Sequence, residues 1–404
     1  MKKNKQLVFS GIILMAVMLI ASPFMVGFAS AAPETLKIGV VSWLGWPLGL
    51  DFVEGVKILA EDVNKKGGLE VGKEKYKIEI IAVDSKMDHS TAKGAVERLV
   101  YQDKVKFILG DETVDAWLPI TEENRILVCA VSPAPAILSP KYKYCYQGAA
   151  VTGQAATMWG WLSKNRPKIK TMVCSAPDQK HGHEELEKAK KLGEFFGIKV
   201  LEAIYYPPTQ KDFSSIGTLI KNLNPDVFQP NAGGPPRDAG IMKAAYQAGY
   251  RGQFFCPHGL TAGHILHFTP PETVEGLLGG MNDVELEDPP PVAKEYKELY
   301  IAKNGKWTDP DILFLTNWYL MMAGIQKAQS LDPEKIKAIM DKGIRFTSAS
   351  GEVMTVARPD QGNNRSCDVV VSFNVKKIEG GKAKKIDYIS VEESYESNKK
   401  FRGW

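Results

Sequence analysis

The stretch LKIGVVSWLGWPLG, residues 36–49, decides the fold. Leu36–Ser42 is a nearly unbroken apolar run, as expected of a strand covered by helices on both faces. A loop with two tryptophans follows. Then Phe52, Val56, Leu59 and Val63 recur at helical spacing until Gly67-Gly68 stop the helix. The unit repeats: IEIIAVDS (78–85) reads as a strand, Thr91 to Tyr101 as a helix, and VKFILGD (105–111) and ILVCAVS (126–132) as further strands. Strands separated by helices of this length imply βαβ units and a parallel sheet.

After a pause at Lys141–Gly153 the alternation starts again. The expected strands are IKTMVCSAP (169–177), IKVLEAIYYP (198–207), PDVFQPN (225–231) and QFFCPHG (253–259). Between them lie helices at His183–Phe196, Ile216–Leu223 and Ala239–Ala248. The fold class is therefore α/β, with two doubly wound parallel-sheet lobes whose ligands bind beyond the carboxyl ends of the strands. An acidic, Pro-rich stretch at Val284–Pro291 reads as a crossing loop. The helices that follow (292–303, 312–329, 333–342) are too few for a third domain and are expected to dock on the first lobe. VVVSFNV (369–375) and IDYISVE (386–392) read as two late strands with a Gly380-Gly381 turn between them.

Lys2, Lys3 and Lys5, the apolar run Leu7–Ile20, Pro23 and the small residues Ala29-Ser30-Ala31-Ala32 have the layout of a secretory signal peptide. Residues 1–31 are assigned to it, with cleavage near residue 31 or 32. An uncleaved anchor is the alternative, but Pro23 and the small residues fit cleavage better. No Cys follows them, so a lipid-anchored N-terminus is not expected. Losing the three lysines lowers the formal charge from +4 to about +1, and no basic block suggests nucleic acid. The remaining chain of about 370 residues is too long for one core. It contains no further apolar run near the roughly 20 residues that span a bilayer.

All five cysteines (Cys129, Cys145, Cys174, Cys256 and Cys367) fall in the mature part. The odd count leaves at least one unpaired. Cys129, Cys174 and Cys256 lie in strand-like runs and read as buried free thiols, while a Cys129–Cys145 bridge stays open. Gly67-x4-Gly72-Lys73 mimics a phosphate-binding loop, but Glu74 replaces the needed hydroxyl and the glycines end a helix. No G-x-S-x-G or H-E-x-x-H is present. The His181/His183 and His264/His267 pairs sit where capping or solvated histidines are commoner than metal ligands, and no metal is assigned.

Taken in order, several stretches resemble the type I periplasmic binding proteins of ATP-driven importers, in the Leu/Ile/Val-binding branch. They are LKIGVVSWLGWPLG, NKKGGLEVG, IIAVDSKMDHSTAKGAVERLV, FILGDETVDA, VSPAPAILS, YYPPTQKDFSSIGTLIKNLNPDVF, AYQAGY–GQFF and TSASGEVM. The likeness runs from about Leu36 to about Asp387. It implies three crossings, near Gln147–Gly153, Gly279–Val284 and Ser350–Thr355, and hinged closure on ligand. The N-terminal lobe is then 36–148 with 283–350, and the C-terminal lobe 149–282 with 351–404. The resemblance further implies a non-enzymatic periplasmic monomer that needs no cofactor. Its partners are a small solute, a membrane permease and an ATPase.

Three loops of the first lobe, together with loops of the second, are expected to carry recognition. In the first, Trp43 and Trp46 either pack on their own lobe or lie over the ligand, and at least one is expected to line the cleft. In the second, Glu112 and Thr113 lead into a helix. Relatives usually present serines there to hold a carboxylate, whereas this chain has two carboxylates before one hydroxyl. Glu112 either complements the helix dipole or points inward toward an amine or hydroxyl. The third is Ser132-Pro133-Ala134, where Ser132 and the Ala134 N–H are the expected contacts. The second lobe offers Asp178, His181, Gly233 and His258. Relatives often carry an aromatic residue where His181 stands and an acid near His258, and the latter is missing here.

The leading reading is a transport clamp for an amino acid or related, even aromatic, solute. A clamp that signals to a membrane receptor is an alternative with the same fold. A periplasmic enzyme built on Cys256 and His258 would lack an acid to orient the base.

Overall fold

The computed structural model describes residues 34–403 except 133, 134, 150, 258–261, 281 and 282. The expected signal segment and the candidates Pro133, Ala134 and His258 lie outside the described residues.

The first sheet is built from the opening βα units. β1 (Glu34–Ser42) runs into α1 (Pro47–Lys65), which starts on a proline, the residue pre-set for a first helical turn. Gly67 and Gly68, at φ 105° and 101°, end it. β2 (Leu69–Val71) turns at Gly72 into β3 (Glu74–Asp84), so the phosphate-loop look-alike is a helix stop joined to a hairpin turn. Next come α2 (His89–Tyr101), capped by the Asp88 side chain, then β4 (Phe107–Gly110), α3 (Leu118–Glu123), β5 (Leu127–Ala130) and β6 (Cys145–Gln147). The strand order is β2-β3-β1-β4-β5-β6, with β1 parallel to both β3 and β4. Every residue of β4 and β5 is buried, as a sheet covered on both faces demands.

α4 (Val151–Asn165) leads to the second sheet through β7 (Thr171–Pro177), α5 (Lys180–Phe196), β8 (Lys199–Tyr206), α6 (Ser214–Leu223), β9 (Val227–Pro230), α7 (Pro235–Gln247), β10 (Gln253–Cys256), α8 (Ala262–Phe268) and β11 (Leu278–Gly279). α9 (Pro291–Asn304) then packs on α1, and α10 (Thr316–Ala328) on β4 and β5. The fit is close: a Cβ on Gly148 would stand 1.8 Å from Asn317 Oδ1. α11 (Pro333–Met340) precedes an antiparallel three-stranded sheet of β12 (Arg345–Ser348), β13 (Gly351–Arg358) and β14 (Asn363–Val371). β15 (Phe373–Glu379) and β16 (Lys382–Ile389) complete the second sheet in the order β16-β15-β11-β10-β9-β7-β8, and α12 (Val391–Arg402) closes on α4.

The run VVVSFNV, read from sequence as one strand, is two. It breaks at Ser372, whose N–H donates to Glu352 O and whose hydroxyl accepts from Glu352 N–H at 2.9 Å. One half belongs to the three-stranded sheet and the other to the seven-stranded sheet, so Ser372 is the joint between them. A buried ion pair lies near that joint. Lys376, fully buried, reaches Asp283 at 2.7 Å, and Asn374 donates to the same carboxylate at 2.7 Å. A lysine so deep keeps its charge only with such partners.

All five cysteines are free and buried, and the Cys129–Cys145 bridge is not formed. Among the described residues no helix is long and apolar enough to cross a membrane.

Candidate ligand-binding site

Strand order locates the cleft. In the first sheet the connections reverse direction between β1 and β4; in the second they reverse between β7 and β9. Ligands of doubly wound sheets bind at such reversals, beyond the strand carboxyl ends. The loops there are 43–46 and 111–113 on one side, and 178–179 and 231–234 on the other. Trp43, Trp46, Glu112, Thr113, Asp178 and Gly233 all lie on these loops, and His181 lies in the first turn of α5.

The tryptophan loop is held from beneath. Ser42 Oγ donates to Gly49 O at 3.0 Å, and Leu44 N–H donates to Asp84 Oδ1 at 3.0 Å. Only glycine fits at 49, because a Cβ would stand 1.9 Å from Trp43 O. The rings of Trp43 and Trp46 are 5.4 Å apart and tilted by 39°, with Trp46 still 41% exposed. An aromatic ring left in water on a braced loop is available to a ligand.

The 111–113 loop is organised by a residue the sequence reading left out of its candidates. Asp111, 3% exposed, accepts from Ser85 Oγ at 2.6 Å, Thr113 N–H at 3.0 Å and Thr113 Oγ1 at 2.6 Å. Thr113 Oγ1 in turn accepts from Trp117 Nε1 at 3.4 Å. The Thr113 hydroxyl, expected to face the ligand, is buried and committed to this network. Burial raises the Asp111 carboxyl above its ordinary value, and the Ser85 and Thr113 bonds pull it back. An acid followed two positions later by a hydroxyl residue is the local pattern that could have revealed the turn.

Glu112, next to it, is half-buried. Burial lifts its carboxyl above 4.5; the charge of His181 opposes this, while Asp111 and Glu185 add to it. Glu112 follows β4 of the first sheet, whereas His181 and Glu185 belong to α5, which follows β7 of the second. The two sets of loops are therefore close enough to feel each other's charge. Ser132 is buried on the same side, exchanging backbone bonds with the Gln147 amide at 3.3 and 2.9 Å.

On the opposite side Asp178 is exposed, its N–H donating to Tyr206 O and its carboxylate pairing with His183 Nε2 at 2.7 Å. His183 also stacks on Tyr205 at 4.3 Å. Gly233 is buried, and a Cβ there would meet Asp238 Oδ1 at 2.3 Å and Tyr206 Oη at 2.4 Å. Asp238 Oδ1 and Tyr206 Oη are buried without a hydrogen-bond partner. Burial pushes the Asp238 carboxyl up to about 7, against the charge of Arg237 and the Gly233 N–H. Sequence reasoning missed both residues, since neither lies at a loop tip. Cys256 is buried, with its thiol held well above the ordinary value by burial, which does not suit a thiolate nucleophile. Among the described residues no group of three or more His, Cys, Asp or Glu could hold a metal.

A family model described as periplasmic binding protein matches residues 35–376. The chain belongs to the type I periplasmic binding proteins. Solved structures of the same fold include a leucine-binding protein from Thermotoga maritima, 24% identical, covering 88% of this chain and 99% of that one with a TM-score of 0.68. A Rhodopseudomonas palustris solute-binding protein in complex with 4-hydroxybenzoate is 20% identical, covering 88% and 97% with a TM-score of 0.68. A substrate-binding protein of an ABC transporter from Sphaerobacter thermophilus is 17% identical, covering 88% and 98% with a TM-score of 0.73. The architecture of type I periplasmic binding proteins, two doubly wound lobes joined by three crossings, accounts for the two long sheets and for the chain's repeated passage between them.

Proposed function

We propose that this chain is the periplasmic solute-capturing component of an ABC importer. A small amino-acid-related or aromatic solute enters between the lobes, closure buries it, and a permease with its ATPase receives the closed form. One lobe centres on the β1/β4 reversal (36–148 with 283–350) and the other on the β7/β9 reversal (149–282 with 351–404). A signal peptide at 1–31 directs export, and the mature protein works as a monomer without catalysis.

The observation that carries this reading is the opposition of Glu112 to His181 and Glu185. The loops after β4 and β7, on separate sheets, thus act on each other's charge, and the exposed ring of Trp46 offers a stacking surface. One relative is a leucine-binding protein and another is in complex with 4-hydroxybenzoate, which makes these solute classes the first to test.

Thermal-shift screening of the purified mature protein against a solute library tests the proposal. A true ligand at a hundredfold excess over its Kd stabilises by about 2.7 kcal/mol, a shift of several degrees. A library of amino acids, amides, amines and aromatic solutes that leaves the melting temperature unchanged would contradict it.

A further inference from the structure

We propose that Asp51, Asp309, Asp311 and Glu285, set against His264 of α8, form a pH-sensitive latch between the two lobes, so that mild acid favours the closed clamp and mild alkali opens it. The inference rests on the clamp reading above and adds a control that acts without solute.

The groups come from elements of different sheets. Asp51 lies on α1, which follows β1 of the first sheet. Asp309 and Asp311 lie between α9, which packs on α1, and α10, which packs on β4 and β5. α8 follows β10 of the second sheet and packs on α7. Glu285 ends the short turn Asp283–Glu285 in the stretch leading from β11 to α9. The two sides touch. Ala262 N–H, at the start of α8, donates to Glu285 Oε2 at 2.5 Å. Asp309 lies against the next residue, where a Cβ on Gly263 would stand 2.0 Å from its Oδ2. Asp311 N–H donates to Asp51 Oδ2 at 3.0 Å, which ties the acids of the first side together.

The charge at this contact is unbalanced. His264 acts on both Asp51 and Asp311, while Asp309 acts on Asp51, Asp311 and Glu285. Lys376 also acts on Glu285, but its Nζ is bonded to Asp283 at 2.7 Å. Lys297 of α9 donates to Val284 O at 3.1 Å. Glu54 of α1 adds a further negative charge beside Asp51, and both act on the Tyr296 phenol of α9. Glu285 Oε1 is buried with no hydrogen-bond partner. Burial pushes the Asp311 carboxyl up to about 6 and that of Glu285 up to about 8, and it raises Asp51 as well.

Parting the lobes returns such groups to water and toward their ordinary values, so closing takes up protons. The closed form is favoured below the raised values and loses that advantage as pH climbs through them. Histidine, whose charge ordinarily changes between about pH 5 and 8, adds attraction in the same direction. Each proton taken up on closing shifts the closed-to-open ratio by up to about tenfold per pH unit.

The test is small-angle X-ray scattering of the solute-free mature protein, collected as its monomer peak at pH 5.5 and at pH 8. The radius of gyration should be smaller at pH 5.5. Two variants should move the two ends in opposite directions. Asp309→Asn keeps the shape and removes a charge, so at pH 8 it should be more compact than the parent. His264→Gln removes the cation, so at pH 5.5 it should be more expanded than the parent. Asp51→Asn, expected to act like Asp309→Asn, decides the matter if the latter does not fold. A parental radius equal at both pH values, or variants that follow the parent at both, would overturn the latch. The clamp then stands if a solute from the library still compacts the protein. If neither pH nor any solute changes the radius, the clamp reading fails and the latch with it.

Discussion

Asp111 and Thr113 are bonded twice, through the Thr113 amide at 3.0 Å and its hydroxyl at 2.6 Å, both to the same carboxylate oxygen. The loop after β4 is therefore set by a side chain beneath the cleft. Asp111→Ala would strand these donors and the Ser85 hydroxyl in a buried site. Each unsatisfied group costs about 1–3 kcal/mol. The melting temperature of Asp111→Ala should fall clearly below that of Asp111→Asn; equal values would mean that the bonds contribute nothing.

Trp46 is exposed on a loop fixed by Ser42, Leu44 and Gly49. Removing a ring that stacks on a solute commonly costs on the order of 2 kcal/mol, about thirtyfold in affinity. Trp46→Ala should lose about that much by titration calorimetry while melting like the parent. Trp43→Ala should also weaken binding. Parental affinity in both variants would move recognition to the second-lobe loops.

Glu112 gives a test with opposite signs. Its carboxyl is raised by burial, so the folded chain holds that proton better than the unfolded chain, and ionisation near neutral pH opposes folding. Glu112→Gln should leave the empty protein equally stable or slightly more so at pH 7. Affinity should fall about tenfold or more, the cost of losing a hydrogen bond to a charged group. A small loss of stability with unchanged affinity would instead make Glu112 a helix-dipole residue.

Asp238 predicts a pH dependence. Its carboxyl moves from 3.8 to about 7 on burial, so between those values the folded chain keeps a proton that the unfolded chain has released. The stability tied to this group is greatest below about pH 4, declines as pH rises to about 7, and is level above that. Asp238→Asn should flatten that part of the melting-temperature profile between pH 4 and 8. A profile parallel to the parent's would exclude this assignment.

Much of the architecture was legible because period and burial agree. β1, β4 and β5 read as strands from their apolar runs, and α1 read as a helix from Phe52, Val56 and Leu59, all buried. α4 was missed although Ala155, Trp159 and Leu162 recur at helical spacing, because buried polar residues such as Gln154 and Thr157 interrupt its apolar pattern; the helix packs against both α5 and α12. The break at Ser372 was invisible because both flanking runs are apolar, and only the exchange with Glu352 separates them. In the site, loop tips such as Trp46 and Glu112 could be picked out by position. Asp111, Tyr206 and Asp238 act from below the loops, and their contacts depend on strand order that no local pattern encodes.

Closure is the central claim, and small-angle X-ray scattering of the mature protein tests it directly. Measured with and without the solute that gives the largest thermal shift, the radius of gyration should fall on saturation as the lobes swing together. An unchanged radius and envelope at a solute concentration that saturates the thermal shift would contradict the clamp.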